Sequence, residues 1–245
     1  MSGRNHAPIL EATPVSIAER RPPPLVDGQR LSQAEFLRRY DATPPGFKAE
    51  LIGGVVHVPS PVGPKHGVSS ADVITWLGYY RARTPGTEVL DNATTAMDEL
   101  GVPQPDAQLR IKPECGGQTR NAGRFVAGVP ELVAEIARSS RSIDLGSKRT
   151  DYQRAGVQEY VVVTLDPDEV HWHVRRGPKL VRLRPGRDGL YRSKVFPGLW
   201  LDPVALLNQD IAGVLAVLER GVATPEHEAF VARLARAAAR AQRGQ

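Results

Sequence analysis

The chain predicts a mixed α/β (α+β) domain, a central mixed sheet flanked by helices. Three observations carry this. Helical and strand-like stretches interleave, one stretch (131–137) is apolar on both alternating faces, and no internal repeat is present. A strand with two apolar faces must be covered on both sides, and helices do that in such folds. With 245 residues, 41% of them hydrophobic and 24% charged, the chain suits one large core and lies within the globular norm.

The elements follow in order. Residues 1–29 hold Pro8, Pro14 and the Pro22-Pro23-Pro24 triplet without periodicity, and read as a flexible leader. Ser32, with Glu35 three residues on, forms a capping box for a short helix carrying Leu31, Phe36, Leu37 and Tyr40, ended by Pro44-Pro45-Gly46. Gly53-Gly54 between the β-rich runs 47–52 and 55–58 predicts a hairpin with a two-residue primed turn. Val68, Ala71, Ile74, Leu77 and Gly78 predict a helix over 66–82, stopped by Pro85-Gly86. Strands are expected at 88–97, 102–111, 131–137 and 160–165, and more exposed ones at 170–175 and 179–184. The stretch 113–127 reads as a polar loop. Helices are expected at 143–155, closed by Gly156, at 203–220, closed by Gly221, and at 225–242. The chain thus divides into the leader (1–29), a main domain (30–222) and an Ala/Arg-rich C-terminal helix (223–245).

Several function classes are excluded or disfavoured. No run approaches the roughly 18 apolar residues of a membrane span, and the first ten residues lack a signal peptide's apolar stretch. Cys115 stands alone, so neither an internal disulfide nor a multi-cysteine zinc site is expected, and a reducing, cytoplasmic location fits. It also lacks a clear histidine and acid partner, against a nucleophilic role. No Walker loop, G-x-G-x-x-G or G-x-S-x-G occurs, so no nucleotide cofactor or nucleophile elbow is expected. The net charge of +5 favours anionic partners. Arg175, Arg176, Lys179, Arg182, Arg184, Arg187, Arg192 and Lys194 crowd one stretch with a single acid, Asp188. This stretch is either a phosphate-facing surface or a solvated hairpin.

Glu135 is the most informative residue. Alternation puts Val133, Glu135 and Ala137 on one face of its strand and Leu132, Ala134 and Ile136 on the other. A carboxylate so placed needs a partner or a metal, unless it leans into water or bridges Arg138. Asp106 follows Pro105, which marks a strand start, an edge or a bulge, and shares a polar face with Gln104 and Gln108. Asp144, Lys148 and Tyr152 recur every four residues and share one helix face, either as surface pairs or as a phosphate-facing element. His171-Trp172-His173 sets two histidines on one strand face with no third metal ligand, and reads as a satisfied or exposed pair.

Taken in order, LSQAEFL, ELIGGVV, the Pro61 and Lys65-His66 stretch, Pro105-Asp106, VPELVAEI, SSRSIDLGSKRTDYQRAGVQEYVVV and FPGLWLD resemble the Uma-type endonuclease-like proteins, bacterial members of the PD-(D/E)XK nuclease superfamily. The resemblance runs from about residue 31 to 207 and implies a restriction-endonuclease-like core. Asp106 matches the PD aspartate and Glu135 the strand acid of the second half-motif. Ala137 stands where the superfamily lysine would, and Lys148, on the following helix, matches the family's lysine. Glu50 matches an early glutamate that joins the metal shell, and His66 and Tyr152 match accessory positions.

The implied function is hydrolysis of a DNA phosphodiester by a metal-activated water. Asp106, Glu135 and Glu50 would hold Mg²⁺ or Mn²⁺, with Lys148 beside them as a catalytic group. Arg175, Arg176, Lys179, Arg182 and Arg184 would meet the nucleic acid, and a homodimer would supply one centre for each strand. The alternative is a catalytically silent nuclease fold used for binding or assembly.

Overall fold

The computed structural model describes residues 22–243. Residues 1–21 of the expected leader lie outside the described residues. Its end is packed: Leu25 is buried in one cluster with Phe36 and Val56, and the Gly28 N–H donates to Val56 O. Helix α1 (Gln33–Asp41) begins as the sequence predicts, with the Ser32 hydroxyl accepting the Glu35 N–H at 3.3 Å. The capping box is half formed, because the Glu35 carboxylate turns to Arg38 and Arg39 instead. Strands β1 (Glu50–Ile52) and β2 (Val55–His57) form the expected hairpin. Gly53 and Gly54 sit at φ 58° and 75°, the two positive values a type I′ turn requires and side chains resist.

Helix α2 (Pro64–Arg83) starts on a proline, whose missing N–H is no loss at a helix start, and buries Val73, Trp76, Leu77 and Tyr80. The strands β3 (Thr87–Asp91), β4 (Thr95–Ala96) and β5 (Ala107–Ile111) follow. The segment expected as a loop holds a 3₁₀ turn (Pro113–Cys115) and a small hairpin, β6 (Arg120–Ala122) and β7 (Phe125–Ala127). Strand β8 (Leu132–Ala137) leads into a helical run: α3 (Arg141–Ile143), one π turn (Asp144–Lys148) and α4 (Arg149–Ala155). Next come β9 (Glu159–Leu165), β10 (Asp168–Arg176), β11 (Lys179–Arg182), β12 (Tyr191–Arg192) and β13 (Trp200–Leu201). The chain closes with α5 (Pro203–Leu207), α6 (Ile211–Val222) and α7 (Pro225–Arg243).

Six strands form the central sheet in the order β11-β10-β9-β8-β5-β3. Only β8 and β9 run parallel, so the sheet is mixed as expected. One face carries Leu109, Leu132, Ala134, Ile136, Val161, Val163 and Trp172 into a core shared with Trp76, Leu77, Leu218, Phe230 and Leu234. Burial of each large side chain there stabilises the fold by roughly 1.5–3 kcal/mol. The other face places Val133, Ala137, Tyr160 and Val162 beneath Tyr152 of α4.

Several sequence expectations are corrected. The strand expected over 88–97 breaks at Asn92, which adopts φ 49°, and β4 joins β7 in a separate three-stranded sheet. The strand expected over 102–111 starts at Ala107, after Pro105. Strand β10 is buried from Val170 to Val174. The helix expected over 203–220 divides where Gln209 turns to φ 59° and Asp210 caps α6 by accepting the Gly213 N–H. Gly221 lies inside α6, where a Cβ would meet Gly198 and Trp200, so close packing and not helix closure demands glycine. The C-terminal helix α7 is no appendage, since its Phe230 and Leu234 belong to the main core. Among the described residues no helix is long and apolar enough to cross a membrane.

Candidate active site

The β5–β8 register pairs Ala107 with Ala134, which sets Asp106 opposite Glu135 one step further along. Residues opposed across antiparallel strands share a face. Pro105 helps place Asp106 at the strand's mouth, where the ladder ends and a side chain is free to turn into the site. The Asp106 carboxylate accepts the Ile136 N–H at 2.7 Å, and its own N–H points at Glu135 Oε2, 3.5 Å away. His66, on the first turn of α2, holds Nε2 3.5 Å from the same Asp106 oxygen. That contact, ahead of the opposing effect of burial, raises the His66 pKa.

The two Glu135 oxygens have different surroundings. Oε1 accepts from Lys148 Nζ at 3.0 Å and from the Tyr152 hydroxyl at 2.6 Å. Oε2 is left on the Asp106 side. Lys148 is itself shared: Glu50 Oε2 lies 3.0 Å and Asp144 Oδ1 3.6 Å from the ammonium. Glu50 is fixed by accepting the Gln104 N–H at 2.7 Å. The expected common face of Asp144, Lys148 and Tyr152 therefore exists, and it points inward. A π turn joins Asp144 to Lys148, the kind of helical irregularity that recurs at functional sites. Tyr160 of β9 supports it by donating to Asp144 O at 2.9 Å.

Burial governs the electrostatics. It pushes Glu135 well above the ordinary carboxylate range, against the pull of Lys148 and with the repulsion of Asp106, Asp144 and Glu50. Asp144 is raised for the same first reason. Burial alone would lower Lys148, but Glu135, Glu50 and Asp144 overcome it and hold the ammonium protonated. The Tyr152 phenol is raised by burial and by Glu135, so it remains a donor.

The structure thus gathers Glu50, Asp106, Glu135, Lys148, His66 and Tyr152 around one point of the sheet. It does not bring the basic hairpin there. Strand β11 lies three strands from β8, about 14 Å at ~4.8 Å per strand. Arg175 donates to Gln153 O at 2.9 Å, and Arg182 to His171 Nδ1 at 2.8 Å. Arg176, Lys179 and Arg184 stand exposed on the edge. The sequence names Gln104 only as a neighbour of Asp106, not as the anchor of Glu50, and does not single out Asp151. The Asp151 carboxylate accepts the Gly53 N–H, which clamps the β1–β2 turn to α4 and so sets Glu50 against Lys148. No sequence signal marks either contact, because both join segments far apart in the chain.

Residues 33–205 match the family model Uma2, described as "Putative restriction endonuclease". No curated protein resembles the chain closely enough to count as a match. Among solved structures, the chain is similar to "a putative nuclease belonging to DUF820" from Anabaena variabilis, with a TM-score of 0.55 and 15% identity over 73% of this chain and 98% of that one. At such identity the likeness speaks for the fold, which is restriction-endonuclease-like. The family match spans most of the chain, from α1 to α5, and takes in all six residues gathered at the site, so the chain belongs to the Uma2 family.

Proposed function

We propose that the protein is an endonuclease that hydrolyses DNA phosphodiester bonds with water, using Mg²⁺ or Mn²⁺. The observation that carries this reading is the opposition of Asp106 and Glu135 on neighbouring strands, with one Glu135 oxygen tied back by Lys148 and Tyr152 and the other turned to Asp106. Carboxylate oxygens suit a hard divalent cation. The charge also fits: four carboxylates (Glu50, Asp106, Glu135, Asp144) share one ammonium and one imidazole, and their crowding helps to raise Glu135, which a further cation would relieve. Asp106 and Glu135 would hold the ion, while Glu50 anchors Lys148. A divalent ion there supplies acidification of water and neutralisation of phosphate charge.

The chain's own groups do the remaining work. His66 and the Ile136 N–H fix the Asp106 carboxylate, and Tyr152 and Lys148 fix Glu135. The Lys148 ammonium orients the attacking water and offsets charge on the phosphate oxygens. The water oxygen gives up a proton to solvent and bonds to phosphorus, the bridging P–O bond breaks, and the leaving oxygen takes up a proton from solvent. The exposed Arg176, Lys179 and Arg184 meet the backbone at a distance, and a twofold homodimer presents one centre to each strand.

One observation favours the alternative, a silent nuclease fold that binds without cutting. Among the described residues no group of three His, Cys, Asp or Glu side chains is arranged to hold a metal ion. Metal titration by calorimetry, with cleavage assays on mixed nucleic acids, separates the two. The parent is expected to bind the ion and cut DNA, Glu135→Gln to lose both while remaining folded, and Lys148→Met to bind the ion with turnover reduced. A parent that binds no divalent ion and cuts nothing leaves the silent fold as the function.

A further inference from the structure

A second polar cluster lies on the same sheet face and takes no part in the chemistry above. The registers set Glu135 beside Val162 of β9, and Val162 beside His171 of β10. At ~4.8 Å per strand His171 is about 10 Å from Glu135. His171 and His173 are buried, at 6% and 5% exposure. Arg182 Nη1 donates to His171 Nδ1 at 2.8 Å, which makes Nε2 the protonated nitrogen. That Nε2 lies 2.9 Å from Glu169 Oε2, and Arg141 Nη2 lies 3.7 Å from the same oxygen. Even so, His171 Nε2, His173 Nδ1 and Arg141 Nε are buried nitrogens without an aligned hydrogen-bond partner among the described residues.

Buried nitrogens without a partner are costly, and here His173 Nδ1 and Arg141 Nε have none among the described residues while His171 Nε2 has only the poorly aligned Glu169 contact. Two of these side chains meet a single carboxylate, Glu169, which is 46% exposed, with Arg141 on the rim 41% exposed, and His173 follows His171 on the same face of β10. The floor is therefore buried and the rim open. Arginine and imidazole donors directed at one oxyanion recognise phosphate by the same chemistry as carboxylate, and phosphate brings more acceptor oxygens. Burial, then Arg149 and His171, press His173 down to about 4, so it is neutral without an anion beside it.

We propose that Arg141, His171, His173 and Arg182 form a phosphate-binding subsite whose seat the Glu169 carboxylate holds in the unliganded protein. The phosphate belongs to a nucleic-acid backbone beyond the bond that is cut, or is the free ion. Only the choice between these sources rests on the nuclease reading.

Imidazole NMR on the full chain tests it, with inorganic phosphate and a short single-stranded oligonucleotide as probes and divalent ions withheld. Phosphate is expected to raise the titration midpoint of His173. Arg141→Gln should weaken phosphate binding about tenfold, the loss of one charged hydrogen bond. Glu169→Gln should tighten it, a gain that a purely structural ion pair has no means to produce. An equal loss of oligonucleotide affinity in Arg141→Gln assigns the site to the backbone, and a loss confined to inorganic phosphate assigns it to the free ion. Histidine signals unmoved by either probe, with Glu169→Gln no tighter than the parent, overturn the subsite. These readouts need no cleavage: a protein that cuts nothing still reveals the subsite, and a protein that cuts DNA but fails them refutes the subsite alone.

Discussion

Glu135 and Glu159 are both buried on neighbouring strands, yet they face opposite sides of the sheet and have opposite electrostatic settings. Glu159 pairs in register with Leu132 on the apolar face. It accepts the Ser193 hydroxyl at 2.7 Å and the Lys194 N–H, and among the described residues it meets no cation. Burial raises it to about 7, and those donors hold it from rising further. Glu135 meets an ammonium and a phenol, but also shares its surroundings with three other carboxylates. Neutral donors suffice to pin a loop with one buried acid. A cation placed among several acids is a different arrangement: the acids outnumber it and repel one another, a crowding that the proposed uptake of a further cation would relieve.

The comparison breaks first at Lys148. Lys148→Ala leaves Glu50, Glu135 and Asp144 without their common counter-ion and should cost about 3–5 kcal/mol of stability by urea denaturation. A loss below about 1 kcal/mol would mean that the carboxylates shed their charge and that the ion network is not what shapes this face.

A pH series sharpens it next. Because the folded pKa of Glu159 is raised from 4.5 to about 7, the folded state binds more protons than the unfolded one between those values. Its contribution is present below 4.5 and is lost as pH rises through about 7. The difference amounts to about 3 kcal/mol. Glu159→Gln should remove that slope from a plot of stability against pH. If the parent shows no such slope, Glu159 is as charged in the fold as outside it, and the contrast with Glu135 fails.

The smallest effect belongs to the sheet edge. Arg176→Ala with Arg184→Ala should leave stability unchanged and lower the salt dependence of DNA binding by about one unit of slope for each phosphate left without its arginine. Identical slopes in parent and variant would return the hairpin to solvation alone.

Local signals were legible where one short segment decides the outcome. Ser32 announces α1, Gly53-Gly54 the hairpin, and the double alternation of β8 both the covered sheet and the face of Glu135. The four-residue spacing of Asp144, Lys148 and Tyr152 announced a shared face, though not that it would be buried. Features decided by a distant strand or by one residue's backbone escaped. β6 and β7 exist because β7 lies beside β4, and the break between α5 and α6 turns on one residue, Gln209, in the left-handed region.

By itself, then, the sequence determined the kinds of layers, the identity of the acids and lysine, and the strand face on which Glu135 lies, since period and turn chemistry act within a few residues. Only the tertiary structure decided what those groups meet: Glu50 on Lys148 and Gln104, Asp106 opposite Glu135, Asp151 on the Gly53 turn, Arg141 beside Glu169. Such contacts join segments tens of residues apart. They follow from strand order and register, which the packing of both sheet faces selects together and no local pattern encodes.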